Sequence, residues 1–178
     1  KNKIADNDFG YRDKDPDGMN CPYGSHARRT NPRDKFSTDH NKRDSIEMIR
    51  KHQILRRGRA FGKPLTSSMK PEEIMNCEDD NVSRGLHFIC LIGHISRQFE
   101  FMQNAWVHSA NFLGMFKDGD PLIGTRIHSG DNINDEFTCP AFPVRRKYKD
   151  MPQFTQIIGG SYFFLPGIKA LKFLVKSA

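Results

Sequence analysis

The stretch "RGLHFICLIGHISRQFEFMQNAWV", residues 84 to 107, decides the fold class of this chain. Its first part, 84–92, is an apolar run bounded by Arg-Gly and Gly-His, which predicts a strand. Strand alternation places Leu86, Phe88 and Cys90 on one face and the residues between them on the other. The second part, 94–107, predicts a helix, because one apolar stripe recurs at helical spacing. The stripe consists of Ile95, Phe99, Met102 and Trp106.

A second strand and helix are predicted near the end of the chain. Residues 154–167, "FTQIIGGSYFFLPG", indicate a strand that is interrupted by two adjacent glycines, where a bulge or a close backbone approach is expected. Pro166 then opens a terminal helix with a regular apolar spacing. Two such βα units predict an α+β fold, namely a ferredoxin-like split β-α-β sheet with helices packed on it and long loops.

The remaining segments are less regular. Residues 1–45 are rich in polar and turn-forming residues and predict a long loop with at most short helical pieces. Residues 45–58 fit either a short helix that begins with a Ser45 cap or an extended segment, and the pattern does not decide between them. Residues 108–152 carry Gly, Asp and Pro throughout and predict a long irregular excursion.

Composition indicates a globular domain with a basic surface. The chain has 178 residues and a net charge of +7, which suits either an anionic partner or an ordinary solvated basic face. Its four cysteines are too far apart for a paired zinc site or a dense disulfide scaffold, and no CxxCH sequence is present for covalent haem attachment. The first residues have neither a signal-like apolar stretch nor a methionine, so we expect a fragment or a processed form.

The first candidate site is "CPYGSHARRTNPRD", residues 21–34. A neutral imidazole such as that of His26 can bind haem iron while its other nitrogen is held by an acceptor. A histidine that only forms a hydrogen bond in a loop is the alternative. Arg28, Arg29 and Arg33 follow it, and they fit either a solvated patch or forked donors to carboxylates, such as haem propionates, or to phosphates.

The second candidate site is "LRRGRAFG", residues 55–62, in which three arginines stand beside two glycines. A buried arginine here could stabilise charge that develops on an oxygen as an O–O bond breaks. A basic surface loop is the alternative.

Five blocks occur here in the order typical of one family of enzymes. They are "DPDGMNCPYGSHARRTNPRD", "LRRGRAFG", "RGLHFICLIGHISRQFEFMQNAW", "DPLIG" and "GGSYFFLPGIKALKFL". In these blocks, from about residue 9 to 176, the chain resembles the C-terminal half of the dye-decolourising (DyP-type) haem peroxidases. The resemblance implies that residues 1–178 are a haem-binding domain, with 1–45 mostly loop, and that the family's N-terminal module is absent from the chain. It also implies haem b (iron protoporphyrin IX) as cofactor, with hydrogen peroxide and a small-molecule reducing substrate as partners.

The resemblance assigns roles to individual residues. His26 matches the proximal haem ligand and therefore the metal-binding residue. Arg56 matches the distal catalytic arginine, although a shift of one position would exchange it with Arg57. Arg33 is similar to an arginine that contacts a haem propionate, and Leu86 and Phe88 correspond to apolar residues over the distal face. Surface Tyr and Trp residues are oxidation sites in the family, but the apolar stripe that contains Trp106 favours a core position.

One expected motif is missing. The family uses a distal aspartate in G-x-x-D-G before the proximal histidine, and no such motif occurs in this chain. Asp118 in "GMFKDG" does not replace it, because the spacing is one residue too long and the position follows His26. A truncated homologue that binds haem without peroxidase turnover is therefore the alternative function. Nucleic acid and membrane partners are not expected, a homo-oligomer is possible, and the compartment stays open, with the cytoplasm favoured over secretion.

Overall fold

Short helices and three two-stranded antiparallel sheets build the chain in the computed structural model, which describes residues 9–36, 41–126 and 135–177. This mixture confirms the predicted α+β class. In chain order the elements are α1 (Tyr11–Lys14), α2 (His26–Thr30), α3 (Lys42–Arg50), β1 (Leu55–Arg56), β2 (Arg59–Phe61), α4 (Pro71–Met75), β3 (Gly85–His87), β4 (Cys90–Leu91), α5 (Phe99–Phe101), a π-helical continuation (Met102–Val107), a 3₁₀ turn (Phe112–Gly114), β5 (Phe137–Cys139), β6 (Arg146–Tyr148) and α6 (Ile168–Ser177).

Strands β1 to β4 together form one long antiparallel pairing, called here the ladder (residues 55–61 and 85–91). Leu55 is paired with Leu91, and Ala60 with Leu86. Between the two short sheets the amide of Arg57 donates to the carbonyl oxygen of Ile89 at 2.7 Å, so the two chain segments stay together across the break. The strand predicted over 84–92 is thus confirmed, but it is interrupted at residues 88 and 89.

The helix predicted over 94–107 forms only in its second part, from Phe99 to Val107. Residues 93–98 make a turn instead, because the side-chain oxygen of Gln98 accepts the amides of Gly93 and His94 at 2.7 and 2.8 Å. Met102 and Trp106 are buried as the apolar stripe predicts, whereas Ile95 is exposed.

The hydrophobic core lies around this helix. Its buried members are Ile49, Met102, Trp106, Val107 and Phe112, and Phe36 packs against them. The indole of Trp106 is only 2% exposed and meets the ring of Phe36 at 5.6 Å. The expected core position of Trp106 is therefore confirmed.

Residues 45–58 contain both of the structures that the sequence left open, since α3 ends at Arg50 and β1 begins at Leu55. The proposed Ser45 cap is wrong. The cap is Asn41, whose side-chain oxygen accepts the amide of Asp44 at 2.9 Å, and Ser45 is buried inside the helix.

Two expectations about the second half of the chain are corrected. Residues 108–152 are not wholly irregular, because β5 and β6 form a hairpin in which Thr138 is paired with Lys147. Residues 154–167 form neither helix nor strand, and no described strand lies beside them to supply hydrogen bonds. Their apolar side chains lie in solvent, as with Ile158, which is 94% exposed. The terminal helix α6 is present as predicted.

The part of the molecule that matters for the site is called here the histidine lobe, residues 9–36, 99–126 and 135–139. It contains most of the hydrophobic core and all seven of the buried polar residues except Ser45. None of the described helices has the length and apolar character to cross a membrane.

Candidate functional site

His26 is the first residue of helix α2 and follows a tight turn. Pro22 and Ser25 close the turn through an amide-to-carbonyl bond of 2.9 Å. Ser25 caps the helix, since its extended backbone ends the turn and its oxygens accept the amide of Arg28. Proline, glycine and serine thus fix the direction in which the His26 ring leaves the backbone.

The ring of His26 is paired with a buried carboxylate. Its Nδ1 lies 2.9 Å from Oδ2 of Asp120, whose side chain is fully buried, whereas the His26 side chain is 28% exposed. The other oxygen of Asp120 accepts the amides of Leu122 and Ile123 at 2.9 and 3.0 Å. The turn "DPLIG" therefore orients one carboxylate oxygen towards its own backbone and the other towards His26.

Gly124 completes that turn because no side chain fits at its position. Its amide donates to the carbonyl oxygen of Asp120 at 3.1 Å. A Cβ there would lie 2.4 Å from the same oxygen, well inside van der Waals contact.

The carboxyl of Asp120 is held in its ionised form. Burial raises its pKa, but the hydrogen bonds from His26 and from the amides of Ile123 and Leu122 outweigh burial, and the resulting pKa lies below its usual range. An ionised acceptor at Nδ1 favours the tautomer that carries its proton there. Among the described residues, none forms a hydrogen bond with Nε2, so this second ring nitrogen is available to a ligand.

Arg29 lies fully buried behind this pair. Four of its five N–H groups have carbonyl acceptors: Nε donates to Gly24 at 2.9 Å, Nη1 to Trp106 and Ser109 at 2.7 and 2.8 Å, and Nη2 to Asp118 at 2.6 Å. Burial lowers the pKa of Arg29 to about 10, against the opposing effect of Asp120 and Asp118, so the guanidinium is charged at neutral pH.

Arg28, predicted as a cofactor contact, is occupied within the protein. It is fully buried, and its guanidinium donates to the carbonyl and carboxylate oxygens of Asp15 and to the carbonyl of Cys21. The rings of Tyr11 and Tyr23 lie 4.2 and 4.4 Å from it. These contacts favour a structural role, in which Arg28 holds the loop before His26.

Arg33 remains at the surface of the histidine lobe. Its backbone has a φ of 57°, a left-handed conformation that follows Pro32 and turns the chain. The guanidinium stacks on the ring of Phe9 at 3.7 Å and donates to the Phe9 carbonyl at 3.1 Å.

The other predicted site residues lie on the ladder, away from the histidine lobe. Leu86 and Phe88 are 60% and 48% exposed. Arg56 is exposed too, and its guanidinium has no hydrogen-bond or ion-pair partner in the described part of the chain. The neighbouring Arg57 instead folds back on the carbonyl of Arg56 at 2.8 Å. No printed hydrogen bond or ring contact links these residues to His26 within the described ranges.

Sequence reasoning missed Asp120 as the partner of His26. A signal existed, because an aspartate before proline often accepts the amides of the next residues and so has a fixed side chain. The distance of 94 residues to His26 concealed the pairing. Asp118 is buried and accepts both the amide and the hydroxyl of Thr138 at 3.0 Å, so its carboxylate anchors β5.

No cluster of three or more His, Cys, Asp or Glu side chains suited to a metal ion occurs among residues 9–36, 41–126 and 135–177.

Several known proteins are similar to this chain over most of its length. The multifunctional dye peroxidase DyP2 of Amycolatopsis sp. is 30% identical over 174 residues, which are 94% of this chain and 35% of that protein. The dye-decolorizing peroxidase msp1 of Mycetinis scorodonius is 28% identical over 176 residues, 93% of this chain and 32% of that protein. The chain thus spans about a third of the length of the curated relatives it matches.

Solved structures agree with these relatives. A DyP-type peroxidase from Anabaena sp. superimposes with a TM-score of 0.59 at 31% identity, over 80% of this chain and 28% of that one. DyP2 from Amycolatopsis sp. gives a TM-score of 0.58 at 27% identity, over 83% of this chain and 30% of that one. No protein-family model matches the chain. From the shared sequence and the shared fold, we conclude that this chain belongs to the dye-decolourising, DyP-type peroxidase family.

Proposed function

We propose that this chain is the C-terminal, haem-binding part of a peroxidase that reduces hydrogen peroxide and oxidises dyes, phenols or other one-electron donors. The observation that carries the proposal is the 2.9 Å contact between Nδ1 of His26 and the buried carboxylate of Asp120. It gives the chain one imidazole with a fixed ring and a free nitrogen, in a family whose members are named as peroxidases.

The donor chemistry of the site fits haem b. Iron of a haem takes one axial imidazole, and a carboxylate bonded to the other ring nitrogen orients that imidazole and raises its basicity. His26 would supply the axial nitrogen, Nε2, since Nδ1 is occupied by Asp120. The partial exposure of the His26 ring leaves it accessible from outside the histidine lobe.

Arg33 is the proposed contact for a haem propionate. A guanidinium is a forked donor that suits a carboxylate. Stacking on Phe9 and the left-handed backbone restrict its orientation, so less freedom would be lost on binding. We leave Arg28 out of the cofactor contacts, because its donors are already used by Asp15 and Cys21.

Haem, when bound, supplies the iron that reacts with hydrogen peroxide and accepts electrons singly from donors. Arg56 is the proposed distal arginine, which would place its positive charge beside the peroxide oxygen that becomes negative. Its guanidinium has no partner among the described residues, whereas Arg57 is bonded to a neighbouring carbonyl, and this contrast supports Arg56. Leu86 and Phe88 are proposed to give that side of the pocket its apolar surface.

Peroxide activation also needs a base that moves a proton between the two oxygens. The aspartate of a G-x-x-D-G motif would serve in this family, and the 178 residues contain no such motif. Asp118 does not serve, because both of its oxygens are bonded to Thr138 within the protein. We therefore propose that this base comes from outside the 178 residues.

For the fold, we propose that the ladder belongs to a ferredoxin-like split β-α-β sheet, as expected from the sequence. Residues 154–167 are the candidate for a further strand of that sheet. Their exposed apolar residues, among them Ile158 and Phe163, support the idea, because an apolar segment of this length gains stability when it is paired and covered.

The test replaces His26 in the full-length protein. We expect His26→Gly to lose the Soret band and dye oxidation with hydrogen peroxide, and we expect added imidazole to restore part of both by binding in the vacated space. The matched control is His94→Gly, since His94 is exposed and its Nδ1 accepts only the amide of Arg97. A His26→Gly protein that keeps the wild-type Soret band without imidazole would sink the proposal.

A further inference from the structure

Arg29 connects the two chain segments that form the His26–Asp120 pair. We propose that Arg29 is a positioning residue, which fixes the carboxylate of Asp120 against Nδ1 of His26 and so sets the donor strength of the imidazole. This inference rests on the proposed function in one respect, namely that His26 binds iron.

The connection is direct on both sides. Arg29 lies one helical turn after His26 in α2, and its Nε returns to the carbonyl of Gly24 in the turn before His26. Its Nη2 crosses to the carbonyl of Asp118, 89 residues away in sequence and two residues before Asp120. One rigid, planar group therefore sets the distance between the histidine segment and the aspartate segment.

The same guanidinium also fixes a third segment. Both hydrogen atoms of Nη1 are used by the carbonyls of Trp106 and Ser109, at the end of the π-helix and in the loop that follows it. Asp118 is held from its other side as well, since its carboxylate accepts the amide and hydroxyl of Thr138. The backbone that leads into Asp120 thus has little freedom to move away from His26.

Lysine would not perform this task. A lysine ammonium has three donors on a flexible stem, whereas the four carbonyls around Arg29 lie in directions that suit a planar fork. All four acceptors are neutral carbonyls. The positive charge is therefore not neutralised by a bonded carboxylate, and it remains close to Asp118 and Asp120.

The experiment compares Arg29→Met and Arg29→Lys with wild type in the full-length protein. The first measurement uses the haem-free protein labelled with ¹⁵N-histidine, in which the Nδ1–H proton of His26 is followed by NMR and assigned with His26→Gln. We expect a slowly exchanging, downfield proton in wild type, and exchange about tenfold faster or loss of the signal in both variants.

The second measurement is the reduction midpoint of the haem-loaded protein. A weaker bond to Asp120 makes the imidazole a weaker donor, so the midpoint rises in both variants. The matched control is Asp34→Ala, which removes a buried carboxylate that accepts the amides of Tyr11 and Arg12. We expect this control to lower the melting temperature while the His26 proton and the midpoint stay at wild-type values, which separates positioning from general loss of stability.

Each outcome decides the question. Folded Arg29 variants with a wild-type His26 proton and a wild-type midpoint would overturn the inference. Should Arg29→Met not fold, Arg29→Lys keeps the charge and most of the volume and decides in its place. A wild-type protein that binds no haem would contradict the proposed function, while the NMR comparison in the haem-free protein would still decide the role of Arg29.

Discussion

The histidine lobe and the ladder differ in how they use their polar and apolar groups. In the histidine lobe, Arg29, Asp118 and Asp120 are fully buried, and their charged groups are bonded within the chain. On the ladder, Leu86 and Ile89 are half or more exposed, and the guanidinium of Arg56 has no described partner. The comparison teaches that these residues organise the proposed iron-binding side by themselves, whereas the proposed peroxide side depends on groups that the described chain does not bring to it.

The largest effect on this comparison is expected from Asp120. Asp120→Ala removes the acceptor for Nδ1 of His26 and leaves the amides of Leu122 and Ile123 unpaired. We expect haem affinity or peroxidase turnover to fall by about 10- to 100-fold, which is usual for the loss of a group that supports a metal ligand. Haem titration and steady-state turnover of the full-length protein measure this.

Asp79→Ala is the control for Asp120, since Asp79 lies on the surface near the ladder and accepts only the amide of Asn81 two residues on. Equal losses in the two variants would contradict the special role of Asp120.

Two isoleucines compare the core with the ladder directly. Ile49 is buried in the hydrophobic core and Ile89 is half exposed on the ladder. We expect Ile49→Ala to lower the free energy of unfolding by about 2–5 kcal/mol, because it leaves a cavity. Ile89→Ala should change it by no more than about 0.5 kcal/mol. Urea unfolding of the 178-residue chain measures both, and a large loss in Ile89→Ala would mean that the ladder is covered in solution.

Two glycines sharpen the same contrast. In Gly124→Ala the added Cβ meets the Asp120 carbonyl oxygen at 2.4 Å, whereas in Gly159→Ala nothing lies within 4 Å. We expect Gly124→Ala to cost about 1–3 kcal/mol of stability, since the backbone must shift. Gly159→Ala should be close to neutral. Thermal unfolding compares the two, and an unchanged melting temperature in Gly124→Ala would show that the turn around Asp120 is wrong.

The smallest effect is expected at alkaline pH. Burial, with a smaller effect of the Cys21 thiol bonded to the hydroxyl, raises the pKa of Tyr11 from 10.0 to about 12. Because the folded protein keeps this proton longer than the unfolded chain, the contribution to stability is complete below pH 10 and is lost as the pH rises to about 12.

Tyr11→Phe should remove that part of the pH dependence, and unfolding curves between pH 9 and 12 would measure it. A steep alkaline loss of the same size in Tyr11→Phe would assign it to other groups.

The sequence predicts the regular elements best where several local signals agree. The apolar stripe placed Met102 and Trp106 in the core, and the run 84–92 predicted a strand. The hairpin of β5 and β6 was missed, because its pairing depends on Asp118, a residue 20 positions before Thr138, rather than on the strands' own alternation. Residues 154–167 have a strand-like composition, yet a strand exists only where a neighbour supplies hydrogen bonds.

The site divides in the same way. Motifs identified His26 and the arginines near it, but they could not separate Arg28 and Arg29, which are buried for structural reasons, from Arg33 at the surface. Local sequence does not reveal which carbonyls a long side chain will reach after folding. Asp120 was missed for the same reason, since its partner lies 94 residues away.

The most direct test of the account is an absorption spectrum of the 178-residue chain after haem is added and again after hydrogen peroxide is added. The account predicts a Soret band that depends on His26 and that changes far more slowly with peroxide than in the full-length protein, because the chain offers Arg56 but no base. Absence of a Soret band would contradict the claim that the histidine lobe is organised by this chain alone. A peroxide response as fast as that of the full-length protein would contradict the claim that the peroxide side depends on groups from elsewhere.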